Sequence, residues 1–184
     1  MSKSRIGLLT GPVGVGKTTI AGRVTDLARH QGLVCGGLLA PALKDRRGQK
    51  IGIWGLDLLT DQRRVLARTD RDLAGPGIGP YSFDPAALDW ALDAVENALD
   101  ATQPVCQLLV VDEIGKLELW HSNGLAPVLS RLAAGQASHA LVLVRESLLA
   151  ELQAKLAGVE MIVFPTSLET RGDLAPQVLK ELFR

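Results

Sequence analysis

The chain predicts an α/β domain: a mostly parallel sheet with helices on both faces and a small antiparallel hairpin insert. Three observations carry this. The run Gly11-Pro12-Val13-Gly14-Val15-Gly16-Lys17-Thr18 fits the phosphate-binding loop pattern G-x-x-x-x-G-K-[ST], and it joins an apolar run to a helical one. Several short runs are apolar throughout, as in strands buried on both faces, and they alternate with segments of helical period. One of them, residues 108–111 (LLVV), ends in the acidic pair Asp112-Glu113. Ligands in such sheets bind at the carboxyl ends of the strands, so the residues after each strand should carry the function.

Taken in order, residues 6–10 read as a buried strand and residues 19–29 as the helix after the loop. Residues 33–42 read as a strand, residues 44–50 as a polar turn, and residues 51–59 and 63–67 as antiparallel hairpin strands. The glycine- and proline-rich residues 75–80 are expected to be a loop without regular structure. Asp84 before Pro85 is a cap followed by a first-turn proline. Leu88, Ala91, Leu92, Val95, Ala98 and Leu99 then recur at helical spacing, to about Ala101. Residues 123–134, 147–156 and 174–183 read as helices, and residues 140–144 and 161–164 as strands. No repeat or linker divides residues 1–184, which are expected to be one domain.

Composition narrows the partners. Twenty basic and twenty acidic side chains balance, so bulk electrostatics predict no nucleic-acid or anionic-membrane partner. No apolar run reaches 18 residues, and residues 1–5 lead straight into a strand without the apolar segment of a secretory signal. A cytoplasmic protein is expected. Cys35 and Cys106 lie in apolar stretches and fit buried thiols, and the scattered His30, His121 and His139 argue against a zinc cluster.

The chemistry follows from residue types and spacing. Glycines let the loop curl so that successive N–H groups face phosphate oxygens at a helix N-terminus. Gly11 to Thr18, with Thr19, are the candidate nucleotide-binding residues. Lys17 is suited to the β- and γ-phosphates, and the Thr18 hydroxyl to Mg²⁺. Asp112, at a strand tip, is the second candidate Mg²⁺ ligand, and Glu113 is placed to orient and deprotonate a water attacking the γ-phosphate.

The block Asp112-Glu113-Ile114-Gly115-Lys116-Leu117-Glu118-Leu119 resembles the D-E-I-G-K-M-E-L signature of a small nucleoside-triphosphatase family known from thermophiles and from a cancer-related homologue. The loop GPVGVGKTT, the hairpins after Gly36, Tyr81 and the run Glu169-Thr170-Arg171-Gly172-Asp173-Leu174 also resemble that family. Ala42-Leu43-Lys44 and Thr170 depart from its E-V-R and asparagine. The resemblance implies a RecA-like P-loop NTPase fold and slow, Mg²⁺-dependent hydrolysis of several nucleoside triphosphates, ATP and GTP among them. No obligate protein partner is expected.

Three further cations are candidates. Lys116 is close enough along the chain to reach the γ-phosphate, Arg145 follows the strand at residues 140–144, and Arg171 is placed to flank the base. Arg145 is the first choice to stabilise transition-state charge. Arg46 and Arg47 read as a solvated hairpin tip, and Trp54, Trp90 and Trp120 as packing residues. The absence of an N-K-x-D sequence disfavours a guanine-specific site, so broad base tolerance is expected. Two alternatives stand beside hydrolysis: a small-molecule kinase on the same fold, with residues 75–80 shaping an acceptor pocket, and a nucleotide-binding accessory module.

Overall fold

The computed structural model describes residues 4–100 and 105–184. In chain order the elements are β1 (Arg5–Gly11), α1 (Lys17–His30), β2 (Cys35–Leu39), β3 (Ala42–Lys44), β4 (Lys50–Asp57), β5 (Arg63–Arg68), β6 (Gly77–Ile78), β7 (Tyr81–Phe83) and α2 (Pro85–Leu99). There follow β8 (Leu108–Ile114), α3 (Lys116–His121), α4 (Ala126–Ala133), β9 (His139–Arg145), α5 (Leu149–Lys155), β10 (Glu160–Pro165) and α6 (Leu174–Leu182).

The ten described strands belong to one sheet with the path β10-β1-β9-β8-β2-β4-β5-β7-β6, and β3 pairs with β4 off that path. The five strands from β10 to β2 are parallel. The strands beyond β2 pair antiparallel and form the hairpin insert expected from the sequence. Strand β9 thus lies between the strand that feeds the phosphate loop and the strand that ends in Asp112-Glu113.

The apolar runs are buried on both faces because helices cover both. On one face Ile6, Leu8, Leu109, Val111 and Val142 pack under α2, α4 and α5. On the other, Leu9, Leu108, Val110, Leu141 and Leu143 pack under α1 and α6. Neighbours in β8 therefore point to opposite cores, which is why that strand reads as continuously apolar. Burying each such side chain fully contributes about 1.5–3 kcal/mol. That rigidity fixes the strand ends on which the site is built.

Several boundaries differ from the sequence reading. The stretch at residues 33–42 is regular only at Cys35–Leu39, and pairing resumes at Ala42–Lys44 after Pro41, which lacks the N–H a continuous ladder needs. Residues 75–80 are not all irregular: Ile78 pairs with Tyr81 and Gly77 with Ser82, so Gly79-Pro80 is a two-residue hairpin loop. The helix expected over residues 123–134 starts at Ala126, and α3 was not anticipated. The Asp84 cap holds as expected, its carboxylate accepting from the Ala87 N–H at 3.1 Å. The helix end expected at Ala101, and the leader reading at residues 1–3, lie outside the described residues. No described helix is long and apolar enough to cross a membrane.

Candidate nucleotide site

The loop leaves β1 at Gly11 and enters α1 at Lys17. Between them Gly14 and Gly16 take φ of +79° and +105°, the left-handed region where a side chain is strained. Val15 is buried and anchors the loop, whereas Val13 at its tip is 71% exposed. Pro12 and Gly14 are also exposed, so the loop presents its backbone to solvent at the head of α1.

Lys17 is 6% exposed, and its ammonium donates to the carbonyls of Gly11 at 2.9 Å and Pro12 at 3.1 Å. Burial lowers its pKa, while the nearby Glu113 and Asp112 carboxylates pull it back up. Asp112 is 4% exposed, and its Oδ2 accepts from the Ala40 N–H at 2.9 Å. Burial pushes its pKa up to about 6, against the opposing pull of the Ala40 N–H and the Thr18 hydroxyl. Both candidate Mg²⁺ ligands, Thr18 and Asp112, are hard oxygen donors of the kind that ion takes. Among the described residues no group of three or more His, Cys, Asp or Glu side chains forms a metal site.

Glu113 and Arg145 meet. Arg145 stands opposite Gly11 in the β1–β9 ladder, and its Nε lies 3.0 Å from Glu113 Oε1. The β8–β9 register slips between Val111 and Ile114, at the position of the acidic pair. Such a bulge re-aims side chains at a strand end. Lys116 is exposed at the start of α3, with Nζ 4.9 Å from the centre of the Trp120 ring.

Arg171 lies in the turn between β10 and α6 and lines a cavity of about 350 Å³ with Gly16, Thr19, Ile20, Arg23 and Gly172. The cavity adjoins the first turns of α1 at the end of the loop. A larger cavity, about 580 Å³, is lined by residues such as Glu96, Arg131 and Gln136; Gln136 precedes β9, so this hollow opens at the opposite edge of the sheet.

Some groups escaped the sequence reading. Glu118, in the acidic block, is buried: Oε2 accepts from the Gly115 N–H at 2.9 Å and Oε1 from the Leu125 N–H at 3.3 Å. Glu118, reaching back to the N–H at the helix start, makes the glutamate half of a capping box, and Gly115 has no side chain to make the other half. Ala40, whose N–H holds Asp112, carries no signal in the sequence. Trp120, expected to pack, is 55% exposed and donates its indole N–H to Glu151 Oε2 at 3.0 Å. Trp54 and Trp90 are half-buried, and Trp90 packs on the core beneath Arg64. Arg46 and Arg47 are exposed at the β3–β4 hairpin tip, as read. Cys35 is buried and Cys106 half-buried, and both are free thiols.

A protein-family model described as NTPase matches residues 6–179. The chain is 31% identical over 176 residues to the nucleoside-triphosphatase THEP1 of Thermofilum pendens, covering 95% of this chain and 93% of that one. It belongs to the THEP1 nucleoside-triphosphatase family. The Methanopyrus kandleri member is 30% identical, again over 95% of this chain and 93% of its own. The crystal structure of THEP1 from Aquifex aeolicus matches the fold with a TM-score of 0.70, over 97% of this chain and 99% of that one, at 19% identity. The family's P-loop NTPase fold is therefore the fold of this chain.

Proposed function

We propose that this protein, acting as one cytoplasmic domain, hydrolyses nucleoside triphosphates to diphosphate and phosphate with Mg²⁺ and with broad base tolerance. The observation that carries the reading is the convergence of a phosphate loop, a buried Asp112 and the Glu113–Arg145 pair at the carboxyl ends of three adjacent strands. Membership in a family whose members are named nucleoside-triphosphatases supports it.

The loop N–H groups from Gly11 to Thr19 bind the phosphates, and Lys17 exchanges its two loop carbonyls for β- and γ-phosphate oxygens. Thr18 and Asp112 hold Mg²⁺, which supplies charge neutralisation to the β- and γ-phosphates when bound. Glu113 orients a water and takes its proton as the water oxygen bonds to the γ-phosphorus. The bond from the γ-phosphorus to the oxygen bridging to the β-phosphate breaks, and the diphosphate leaves with that oxygen. Arg145 stabilises charge on the γ-phosphoryl oxygens, and Arg171 flanks the base. Lys116 has to leave the Trp120 ring to reach a phosphate, which makes it a weaker candidate than Arg145. No nucleic-acid, membrane or obligate protein partner is needed for these steps.

The test is phosphate release from ATP, GTP, CTP and UTP, with and without Mg²⁺, comparing wild type with Glu113→Gln and Lys17→Ala. Turnover without any added acceptor, lost about a hundredfold or more in both variants, is the expected result. Nucleotide binding without phosphate release would sink the hydrolase reading.

A further inference from the structure

We propose that Arg23 and Arg171 clamp the nucleobase between two guanidinium groups, gripping its ring face and leaving its edge unread. The inference rests on the nucleotide reading above and assigns the source of its base tolerance. The cavity beside Gly16, at about 350 Å³, falls within the about 300–1,000 Å³ of small-molecule sites. With phosphates on the loop, the nucleoside end must leave past the first turn of α1, where Thr19 lines this hollow.

Its two cations come from different elements. Arg23 stands four residues after Thr19 on α1, so both occupy one helix face. Arg171 comes from the turn before α6, and a Cβ at Gly16 would lie 3.9 Å from its Cδ, so its stem crosses the end of the loop. Neither guanidinium is committed: among the described residues Arg23 and Arg171 make no ion pair or side-chain hydrogen bond. By contrast Arg5, Arg29, Arg68, Arg131 and Arg145 each pair with a carboxylate.

The chemistry of the lining decides what such a site can discriminate. Reading a base edge takes a matched set of donors and acceptors, and this lining has no carboxylate or amide side chain to accept from a base. A guanidinium only donates, and its plane stacks on any aromatic ring. Every base offers a π face and at least one acceptor, so recognition of this kind is tolerant of base identity.

The experiment is equilibrium binding of ADP, GDP, CDP, UDP and, separately, pyrophosphate, with Mg²⁺, to wild type, Arg23→Ala, Arg23→Lys and Arg171→Ala. Both side chains are exposed, so the variants should fold. Each alanine variant is expected to weaken all four diphosphates about tenfold, with pyrophosphate affinity changed less than about twofold. Arg23→Lys, which keeps the charge without the plane, should recover little. A loss confined to one base, an equal loss for pyrophosphate, full recovery by lysine, or no loss would each overturn the clamp. Diphosphates have no γ-phosphate to release, so the answer is independent of whether the protein hydrolyses triphosphates. A wild type that binds none of the four would instead overturn the nucleotide reading itself.

Discussion

Arg145 Nε sits 3.0 Å from Glu113 Oε1, so the cation proposed for the γ-phosphoryl group and the carboxylate proposed to accept the proton form one ion pair. Their side chains are 36% and 30% exposed, open enough for a ligand to separate or share them. A pair that acts as a unit makes strongly non-additive contributions. Glu113→Gln and Arg145→Ala should each lower kcat by about a hundredfold or more, and the double variant by little more than the worse single one. Single-turnover phosphate release checks this. Losses that multiply, to about ten-thousandfold, would show that the two side chains act independently.

Lys17 is held by its own loop, through the carbonyls of Gly11 and Pro12. Burial already disfavours its charge, so an apolar side chain of similar length should be tolerated by the fold. Lys17→Met should therefore keep a melting temperature within a few degrees of wild type but lose the response to nucleotide. In wild type a hundredfold excess of ligand over Kd stabilises by about 2.7 kcal/mol, or roughly 5–10 °C at this size. Thermal melts with and without MgADP decide it: a variant that still shifts by that amount would remove Lys17 from nucleotide binding.

The loop and the acidic strand tip were legible because each is a local device: a fixed spacing of glycines, lysine and threonine, and an apolar strand ending in two acids. The parallel core was legible because strands covered on both faces have no polar side to show, as Leu108 to Val111 illustrate. What escaped depends on backbone geometry or distant contact. No sequence pattern reports that Ala40 donates to Asp112 across 72 positions, or that the β8–β9 register slips at the acidic pair. Arg23 carries no motif of its own in the helix after the loop, and only the fold brings Arg171 to the same cavity. The short strands β6 and β7 were hidden because glycine and proline punctuate their two-residue turn as they would a loop.

Glu118 is a structural anchor inside the acidic block. It is 8% exposed, and its two oxygens accept from the N–H groups of Gly115 and Leu125, tying the start of α3 to the approach to α4. Glu118→Ala strands both donors in a buried place, at a cost of about 1–3 kcal/mol for each unsatisfied group. Chemical denaturation should register a loss of about 2–4 kcal/mol, with nucleotide affinity much less affected in the fraction that remains folded. A variant as stable as wild type would show that water or a neighbour replaces the carboxylate.

His139 opens β9 and stacks on Phe183, with ring centres 4.1 Å apart and planes 26° from parallel. Its Nδ1 is buried without a hydrogen-bond partner among the described residues. Burial lowers its pKa below the ordinary 6.5, and the nearby Arg5 guanidinium acts in the same direction. A backbone hydrogen bond at Gln107 opposes them. The folded protein therefore binds fewer protons at this ring than the unfolded chain does. Stability from the neutral ring is fully present above pH 6.5 and is lost as the pH falls through that value toward the lowered one. Asp112, its carboxyl pushed up to about 6, titrates in the same interval with the opposite sign, so the difference between wild type and a His139 variant isolates the imidazole. His139→Phe keeps a ring against Phe183 and removes the proton. Urea denaturation at closely spaced pH values should show a more positive slope of stability against pH through that interval in wild type than in the variant. Identical slopes in the two proteins would assign the pH dependence to another group.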